Sequence, residues 1–257
     1  MKMKILDLHQ LFVQESLLIR NNSPATIAWY KISISSYLKY WNGTIVYIEQ
    51  ITTDSLREYL YYKRGNGFWG AESFLNQYKG IKLFLKWCVN KGYLGENPIV
   101  SIERPKLPKS LPKRLTQQDA LMVLEYAFNM KTAYRFERYR NRAIFAVMLF
   151  AGLRANEVLS LKMGNVDMLN GIITVVMGKG GKDRIIPVSP RLSVYLSAYL
   201  EDRVRLKRDS ECFFVGLRGG RPLRYRALFQ IVHKIKAKTG IDFTPHKLRH
   251  TFATLML

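Results

Sequence analysis

Three short motifs in the second half of the chain place arginine, lysine and histidine in patterns suited to holding a phosphate group. In the first, Ala-Gly-Leu-Arg-Ala-Asn-Glu, one helix ends at Gly152 and Arg154 stands at the junction with the next. Glu157 lies in the first turn of that second helix, where its charge suits the helix dipole and its carboxylate can orient Arg154. An arginine–glutamate pair between helices is also a common structural feature, so this motif alone leaves both interpretations open.

The second motif is a glycine-rich turn between two segments rich in β-branched residues. Lys179 and Lys182 lie in Gly-Lys-Gly-Gly-Lys-Asp, and Arg184 opens the returning strand. Glycine permits positive φ angles and a close approach to a ligand, so the tip can act as a positive finger. The alternative is an ordinary turn with solvated lysines. A nucleotide-binding P-loop is excluded, because this run joins two strands and no Ser/Thr and helix follow it.

The third motif, Thr-Pro-His-Lys-Leu-Arg-His, begins the last predicted helix, with Thr244 as its cap. His246 and Arg249 are three residues apart and share one helix face, and His250 follows them directly. The helix N-terminus adds a positive dipole to that face. A lone histidine is more often packed or solvated than catalytic, but a histidine with an arginine at a capped N-terminus favours anion binding.

The charge of the chain points to a polyanionic partner. Lys and Arg number 41 against 19 Asp and Glu, which gives a net charge of +22 at pH 7. Such an excess attracts nucleic acid, whose phosphates release counterions when a protein binds. A ribosome-associated protein or a merely solvated basic surface remains an alternative. No apolar run reaches the roughly 18–20 residues of a membrane span, so a cytoplasmic location is expected.

The two cysteines, Cys88 and Cys212, do not indicate a metal site. Neither belongs to a Cys-x-x-Cys pattern, and both stand beside aromatic residues. They are predicted to be reduced, buried, small apolar side chains. No metal and no other cofactor is expected.

Apolar residues three and four apart predict four helices in the first hundred residues. The first covers residues 6–20, and near one of its faces lie Leu8, Leu11, Phe12, Glu15, Leu18 and Ile19. The others run from Pro24 to Trp41, from a Thr53 cap to the break at Gly65, and over residues 71–91. Together they predict a small helical bundle.

A basic, proline-rich stretch then separates two predicted domains. It spans residues 104–114, and its three prolines exclude a helix interior. We interpret it as an extended linker along a phosphate backbone rather than a simple spacer. Its proposed DNA-contacting residues are Arg104, Lys106, Lys109, Lys113 and Arg114.

The second domain is predicted to be mostly helical with one small sheet. Thr116 caps its first helix, and an apolar helix covers residues 143–151. Strands are predicted over residues 172–176 and 184–188, followed by helices over 190–205, 225–239 and from Pro245 onward.

The three motifs together resemble the signature boxes of the tyrosine recombinase family, the phage-integrase and Xer-like enzymes, in that family's order and spacing. The resemblance implies a mainly α fold. It consists of an N-terminal SAM-like four-helix core-binding domain (residues 1–103), a basic linker (104–114) and a mostly helical catalytic domain with a small antiparallel β-sheet (115–257). It also implies double-stranded DNA as the partner.

The same resemblance implies a role for each motif residue. Arg154 and Arg249 correspond to the two catalytic arginines, Lys179 to the hairpin lysine and His246 to the active-site histidine. The supporting residues are Glu157, Lys182 and His250, and Arg184 is expected to contact DNA. In such enzymes a tyrosine attacks a phosphodiester and forms a 3′-phosphotyrosyl bond, which keeps the bond energy so that no metal or nucleotide is needed.

One departure from the family pattern bears on activity. The family carries a second His or Trp and then the nucleophilic Tyr some tens of residues beyond the His-x-x-Arg box, whereas this sequence ends at Leu257. We therefore expect a C-terminally truncated recombinase that binds but does not cleave DNA. The full-length form is expected to act as a homo-tetramer on two recombination sites, with a possible accessory protein.

Three rival interpretations remain from the sequence. One is a non-catalytic DNA-binding protein derived from a decayed recombinase, which the absent nucleophile favours and the intact basic set disfavours. Another is a type IB topoisomerase-like enzyme, which shares the chemistry. The third is a basic RNA-binding or ribosomal protein, which shares the charge but has no need of three motifs in register.

Overall fold

The computed structural model describes residues 2–107, 114–176, 183–205, 207, 209–217 and 220–255. The chain divides into two compact units, Met1–Lys109 and Ser110–Leu257. The described residues form ten α-helices and one three-stranded antiparallel sheet. The predicted fold class, mainly helical with a small antiparallel sheet, is confirmed. No helix within the described ranges is long and apolar enough to cross a bilayer.

The first unit contains four α-helices around an aromatic core. Their bounds are α1 Ile5–Leu18, α2 Pro24–Trp41, α3 Thr53–Gly65 and α4 Ala71–Asn90. The hydroxyl of Ser23 accepts a hydrogen bond from the Thr26 backbone N–H at 3.3 Å, so the predicted cap of α2 is confirmed. The predicted cap of α3 is wrong by one residue. Thr52 is the N-cap, and Thr53 instead donates its hydroxyl to the Pro98 carbonyl at 2.8 Å.

The predicted apolar face of α1 is only partly correct, because Leu8 and Phe12 are buried but Leu11, Leu18 and Ile19 are not. Leu18 and Ile19 are 72% and 76% exposed. The buried face consists of Ile5, Leu8, His9, Phe12, Val13 and Ser16. At about 100° per residue, this face is centred near Phe12 and Ser16, and Leu11 and Leu18 lie well away from it. The prediction followed the leucines, whereas packing selected a face that includes a histidine and a serine.

The second unit is built around one buried helix. Its helices are α5 Gln117–Asn129, α6 Arg135–Phe150, α7 Ala155–Leu159, α8 Pro190–Arg205, α9 Tyr225–Thr239 and α10 Pro245–Leu255. The segment of α6 from Ala143 to Leu149 is fully buried, and α5, α8 and α10 pack against α6. The predicted start at residue 143 is too late. The helix begins at Arg135. Its first two turns are rich in charged residues, so the spacing of apolar residues does not reveal them as helical.

The sheet of the second unit has the order β1-β2-β3. Its strands are β1 Val166–Asp167, β2 Ile172–Val175 and β3 Arg184–Pro187. Strands β2 and β3 were predicted, whereas the two-residue β1 was not. Ile173 pairs with Ile186, and Val175 pairs with Arg184. Ile173 and Val175 point into the core, so the sheet is anchored on one face.

The two cysteines lie in different surroundings. Cys88 is buried in the core of the first unit, as predicted, and burial raises the pKa of its thiol to about 12. Cys212 is only half-buried, so that part of the prediction is wrong. It lies where the backbone forms a bridge with Lys162 near the surface.

Candidate active site

The turn between α6 and α7 fixes the position of the first motif. Gly152 has φ of 62°, a left-handed conformation that favours glycine. The ring of Phe252 fills the space that a Cβ at this position would need. The Gly152 carbonyl accepts a hydrogen bond from Nη1 of Arg249. Helix α10 is therefore docked against this turn through an aromatic ring and a guanidinium.

Arg154 is the N-cap of α7, and Glu157 lies in its first turn. One carboxylate oxygen of Glu157 accepts from the Arg154 backbone N–H at 2.8 Å. The other accepts from Nη1 of Arg154 at 2.7 Å. The carboxylate thus caps the helix and holds the arginine side chain, which is the arrangement expected from the sequence.

The same carboxylate also contacts two arginines from distant segments. Arg184, at the start of β3, donates from Nη1 and Nη2 to the two oxygens at 3.0 and 2.7 Å. Nη1 of Arg249 on α10 lies 3.6 Å from Oε2. Glu157 is 9% exposed, whereas Arg154, Arg184 and Arg249 are 39%, 33% and 27% exposed. One buried carboxylate faces three partly exposed cations, so the cluster carries surplus positive charge.

The charges of this cluster shift the ionisation of its members. Burial raises the pKa of Glu157, but hydrogen bonds from Arg184 and Arg154 outweigh it and lower that pKa to about 2. Burial, and then the charge of Arg154, lower the pKa of Arg249 from its ordinary value. Glu157 is therefore ionised at neutral pH, and the guanidinium groups keep their charge. An anion at the exposed side of the arginines would relieve their mutual repulsion.

Two histidines of α10 lie one helical turn apart beside the arginines. Nε2 of His246 and Nε2 of His250 are 2.9 Å apart, and their ring centroids are 4.2 Å apart. One ring must donate and the other accept across this contact. Burial, His250, Arg249 and Arg154 together lower the pKa of His246. His246 is accordingly neutral at physiological pH and can form a hydrogen bond with a bound phosphate.

The predicted catalytic and supporting residues that the structure describes come together in the second unit, and Arg184 joins them. The cluster consists of Arg154, Glu157, Arg184, His246, Arg249 and His250. Lys179 and Lys182 lie outside the described residues.

Of the predicted linker cations, Arg104, Lys106 and Arg114 are exposed, and Lys109 and Lys113 lie outside the described residues. Arg104 places its guanidinium 5.8 Å from the ring centroid of Tyr78 on α4.

Sequence reasoning missed the link between Arg184 and Glu157. It placed Arg184 with the lysines of a positive finger that contacts DNA, whereas the side chain turns inward to the carboxylate. The position of Arg184 at the start of β3 does not predict a contact with Glu157, because that contact depends on how the sheet packs beside α7. Within the part of the chain that the structure describes, no three His, Cys, Asp or Glu side chains are placed to hold a metal ion.

Comparison with known proteins identifies the family. The model of the phage integrase family matches residues 113–257, which is more than half of the chain and includes the whole cluster. The chain belongs to this family. It is therefore a tyrosine recombinase by descent, as the three motifs predicted.

Individual relatives extend the similarity to the first unit. The tyrosine recombinase XerA of Thermococcus kodakarensis is 31% identical over 241 residues, which cover 93% of this chain and 77% of XerA. The tyrosine recombinase XerD of Staphylococcus saprophyticus is 29% identical over 91% of this chain and 79% of XerD. A lambda integrase tetramer bound to a Holliday junction shares the fold, with a TM-score of 0.75 and 17% identity over 98% of this chain and 73% of that one.

Proposed function

We propose that this chain binds duplex DNA at a recombination site and holds one backbone phosphate between Arg154, Arg249 and His246. The observation that carries the proposal is the convergence of Arg154 and Arg249 on one buried carboxylate, with His246 near both arginines. They come from two segments far apart in the sequence. A structural ion pair needs one cation for each carboxylate, whereas Glu157 faces three guanidinium groups, those of Arg154, Arg184 and Arg249.

The chemistry of strand exchange accounts for that surplus. When an oxygen nucleophile attacks a phosphodiester, negative charge gathers on the non-bridging oxygens of the trigonal-bipyramidal phosphorane. Guanidinium groups are permanently charged and can bind such oxygens in a bidentate manner. Preorganised charge of this kind lowers the barrier to reaction. Lys179 would protonate the departing 5′-oxygen, and neutral His246 would hydrogen-bond the phosphate.

Exposed cations in each unit would bind the flanking DNA backbone. Arg226, Lys234 and Lys238 are exposed on α9 at four-residue multiples and so share one face. On α4, Lys79 and Lys86 are exposed and Lys82 between them is half-buried. We assign core binding to residues 1–103, backbone contact to the linker 104–114 and the phosphate site to residues 115–257. By likeness to the lambda integrase assembly, four copies of the full-length form would act on two sites.

The tyrosines that follow Arg154 in this sequence support binding without covalent attachment. Tyr199 is buried and donates its hydroxyl to the Phe213 carbonyl at 2.7 Å. The ring of Tyr195 stacks on Phe150 at 6.0 Å. The ring of Tyr225, which is about half exposed, lies 4.8 Å from that of Phe229 on the same helix, at an interplanar angle of 37°. We therefore assign none of the three as a nucleophile and propose that this 257-residue polypeptide forms no covalent bond with DNA.

The binding proposal is tested by fluorescence anisotropy with a labelled duplex at increasing salt. A protein that makes several phosphate contacts loses on the order of a thousandfold in affinity between about 50 and 200 mM salt. Arg154→Ala and Arg249→Ala should each weaken binding, and the double variant, which frees their shared phosphate, should lower the slope of log affinity against log salt by about 0.9. Lys162→Ala, which removes an exposed ion pair with Glu211, is the matched control and should leave it unchanged. Salt-insensitive binding would exclude the phosphate site.

Covalent chemistry is tested separately with a nicked duplex that traps a phosphotyrosyl intermediate. We expect no adduct that survives SDS and is removed by protease. Formation of such an adduct would contradict the assignment of the tyrosines, and mass spectrometry of the adduct would identify the residue responsible.

A further inference from the structure

Arg184 was expected to contact DNA, but its side chain is engaged elsewhere. Both of its terminal nitrogens donate to Glu157, one to each carboxylate oxygen, at 3.0 and 2.7 Å. A two-point contact of this kind fixes the plane of both groups. On the same carboxylate, Arg154 donates one hydrogen bond to each oxygen, at 2.7 and 2.8 Å. Glu157 thus lies between the two arginines.

We propose that Arg184 is a positioning residue, which ties β3 to α7 through Glu157 and thereby sets Arg154 and Arg249 for phosphate binding. This inference rests on the proposed function of the cluster. It assigns to Arg184 an action through Glu157 in place of direct contact with DNA.

The short length of α7 explains why such a tie is needed. The helix comprises only Ala155–Leu159, and isolated helices much shorter than about 12 residues are marginal in water. Its orientation must come from side-chain contacts with other elements. Val158 packs in the core, but Glu157 lies at the edge that faces Arg154. Apart from Arg184, this carboxylate contacts the N-terminal turn of its own helix and, at the longer distance of 3.6 Å, Arg249.

The sheet supplies a fixed point for the other end of the tie. Arg184 pairs with Val175 in the β2–β3 ladder, and two residues further along Ile173 pairs with Ile186. Val175 and Ile173 are buried in the same core as α6. The backbone of Arg184 is therefore held by strand pairing, so its guanidinium can transmit that position to Glu157. Because Oε2 of Glu157 also lies 3.6 Å from Arg249, one contact sets both phosphate-binding arginines.

A double-mutant cycle on the intact chain separates positioning from direct contact. DNA affinity is measured for Arg184→Gln in two backgrounds, the natural sequence and Glu157→Gln. If Arg184 acts through Glu157, Arg184→Gln weakens binding in the first background and has little further effect in the second. Supporting residues of metal sites contribute about 10–100-fold, and we expect a loss of about tenfold here. Arg226→Gln on α9 is the matched control, and its effect should be equal in both backgrounds.

Arg184→Lys distinguishes geometry from charge. Lysine keeps the charge but cannot form the two-point contact, so the positioning role predicts a loss close to that of Arg184→Gln with an unchanged salt slope. A direct phosphate contact predicts that lysine restores binding and that glutamine lowers the slope by about 0.9. Either of those two results would overturn the inference.

The carboxylate itself gives a readout that does not depend on DNA. In protein with 13C-labelled glutamate, the NMR titration of Glu157 should show its pKa rising from about 2 in Arg184→Gln and in Arg184→Lys. An unchanged pKa would refute the tie. If the tie is confirmed but DNA does not bind, the proposed function fails and the inference about phosphate positioning fails with it, whereas the contact itself stands. Should Arg184→Gln not fold, Arg184→Lys and the double variant carry the same comparisons.

Discussion

Two groups of arginines in the second unit show how one residue type serves two purposes. Arg203 is buried and donates to the carbonyls of Ser210, Cys212 and Phe213 at 2.6 to 2.7 Å. Arg140, also buried, donates to the Val215 carbonyl at 3.1 Å. These guanidinium groups are enclosed by acceptors of their own chain, and they hold the segment between α8 and α9 in place.

The arginines around Glu157 differ in exposure and in balance of charge. Arg154, Arg184 and Arg249 are each about one-third exposed and share a single carboxylate. A guanidinium has five N–H donors, and one carboxylate cannot satisfy three such groups. Partial exposure and unbalanced charge therefore indicate a ligand-binding role for Arg154 and Arg249, with Arg184 as their positioning partner, whereas complete burial among carbonyls indicates a structural role for Arg203 and Arg140. Mutation of the buried group should therefore mainly lower stability, whereas mutation of the phosphate-binding arginines should mainly lower DNA affinity.

The largest effect on stability is expected from the buried group. Arg203→Leu leaves the half-buried carbonyls of Ser210 and Cys212 without this donor, at about 1–3 kcal/mol each, whereas the Phe213 carbonyl keeps its hydrogen bond from Tyr199. We expect the free energy of unfolding to fall by about 3–5 kcal/mol, as measured by urea denaturation. A loss below about 1 kcal/mol, the usual range of surface substitutions, would remove the distinction between the two groups.

An intermediate effect is expected from Glu157, and it depends on pH. Because the folded-state pKa is about 2, below the ordinary value of 4.5, the ionised carboxylate stabilises the fold above pH 4.5. That contribution is lost as the pH falls from 4.5 through 2. A difference of this size corresponds to about 3 kcal/mol.

Comparison with Glu157→Gln isolates the contribution of this one carboxylate. At pH 7 the variant should be less stable by about 2–3 kcal/mol, because three guanidinium groups lose their shared anion. The difference between the two proteins should shrink as the pH falls towards 2. Parallel stability curves for the two proteins over this range would show that Glu157 is not the anion that holds the cluster.

The smallest effect on stability is expected from Arg249. Arg249→Gln removes one cation from a cluster with surplus positive charge, so repulsion is relieved while the hydrogen bond to Gly152 is lost. We expect a change in unfolding free energy within about 1 kcal/mol, with DNA affinity reduced as for the alanine variant. If Arg249→Gln destabilised the fold as much as Arg203→Leu, Arg249 would belong to the structural group.

Features fixed by neighbouring residues were predictable. Ser23, Thr116 and Thr244 each accept a hydrogen bond from a backbone N–H three residues ahead, and these caps were identified from residue type alone. The pairing of Arg154 with Glu157 spans the same short distance. The family motifs are local for the same reason, since each lies within one turn or one helical end.

The amino-acid sequence by itself determined these caps, most helix bounds, the β2–β3 pairing and the family. Only the tertiary structure decided that Arg249 reaches the Gly152 carbonyl across 97 positions and that Arg184 turns inward to Glu157. It also decided which face of α1 is buried. The physical reason is that a contact within four residues follows from helix geometry, whereas a contact between distant segments depends on how α6, α7, α10 and the sheet pack together.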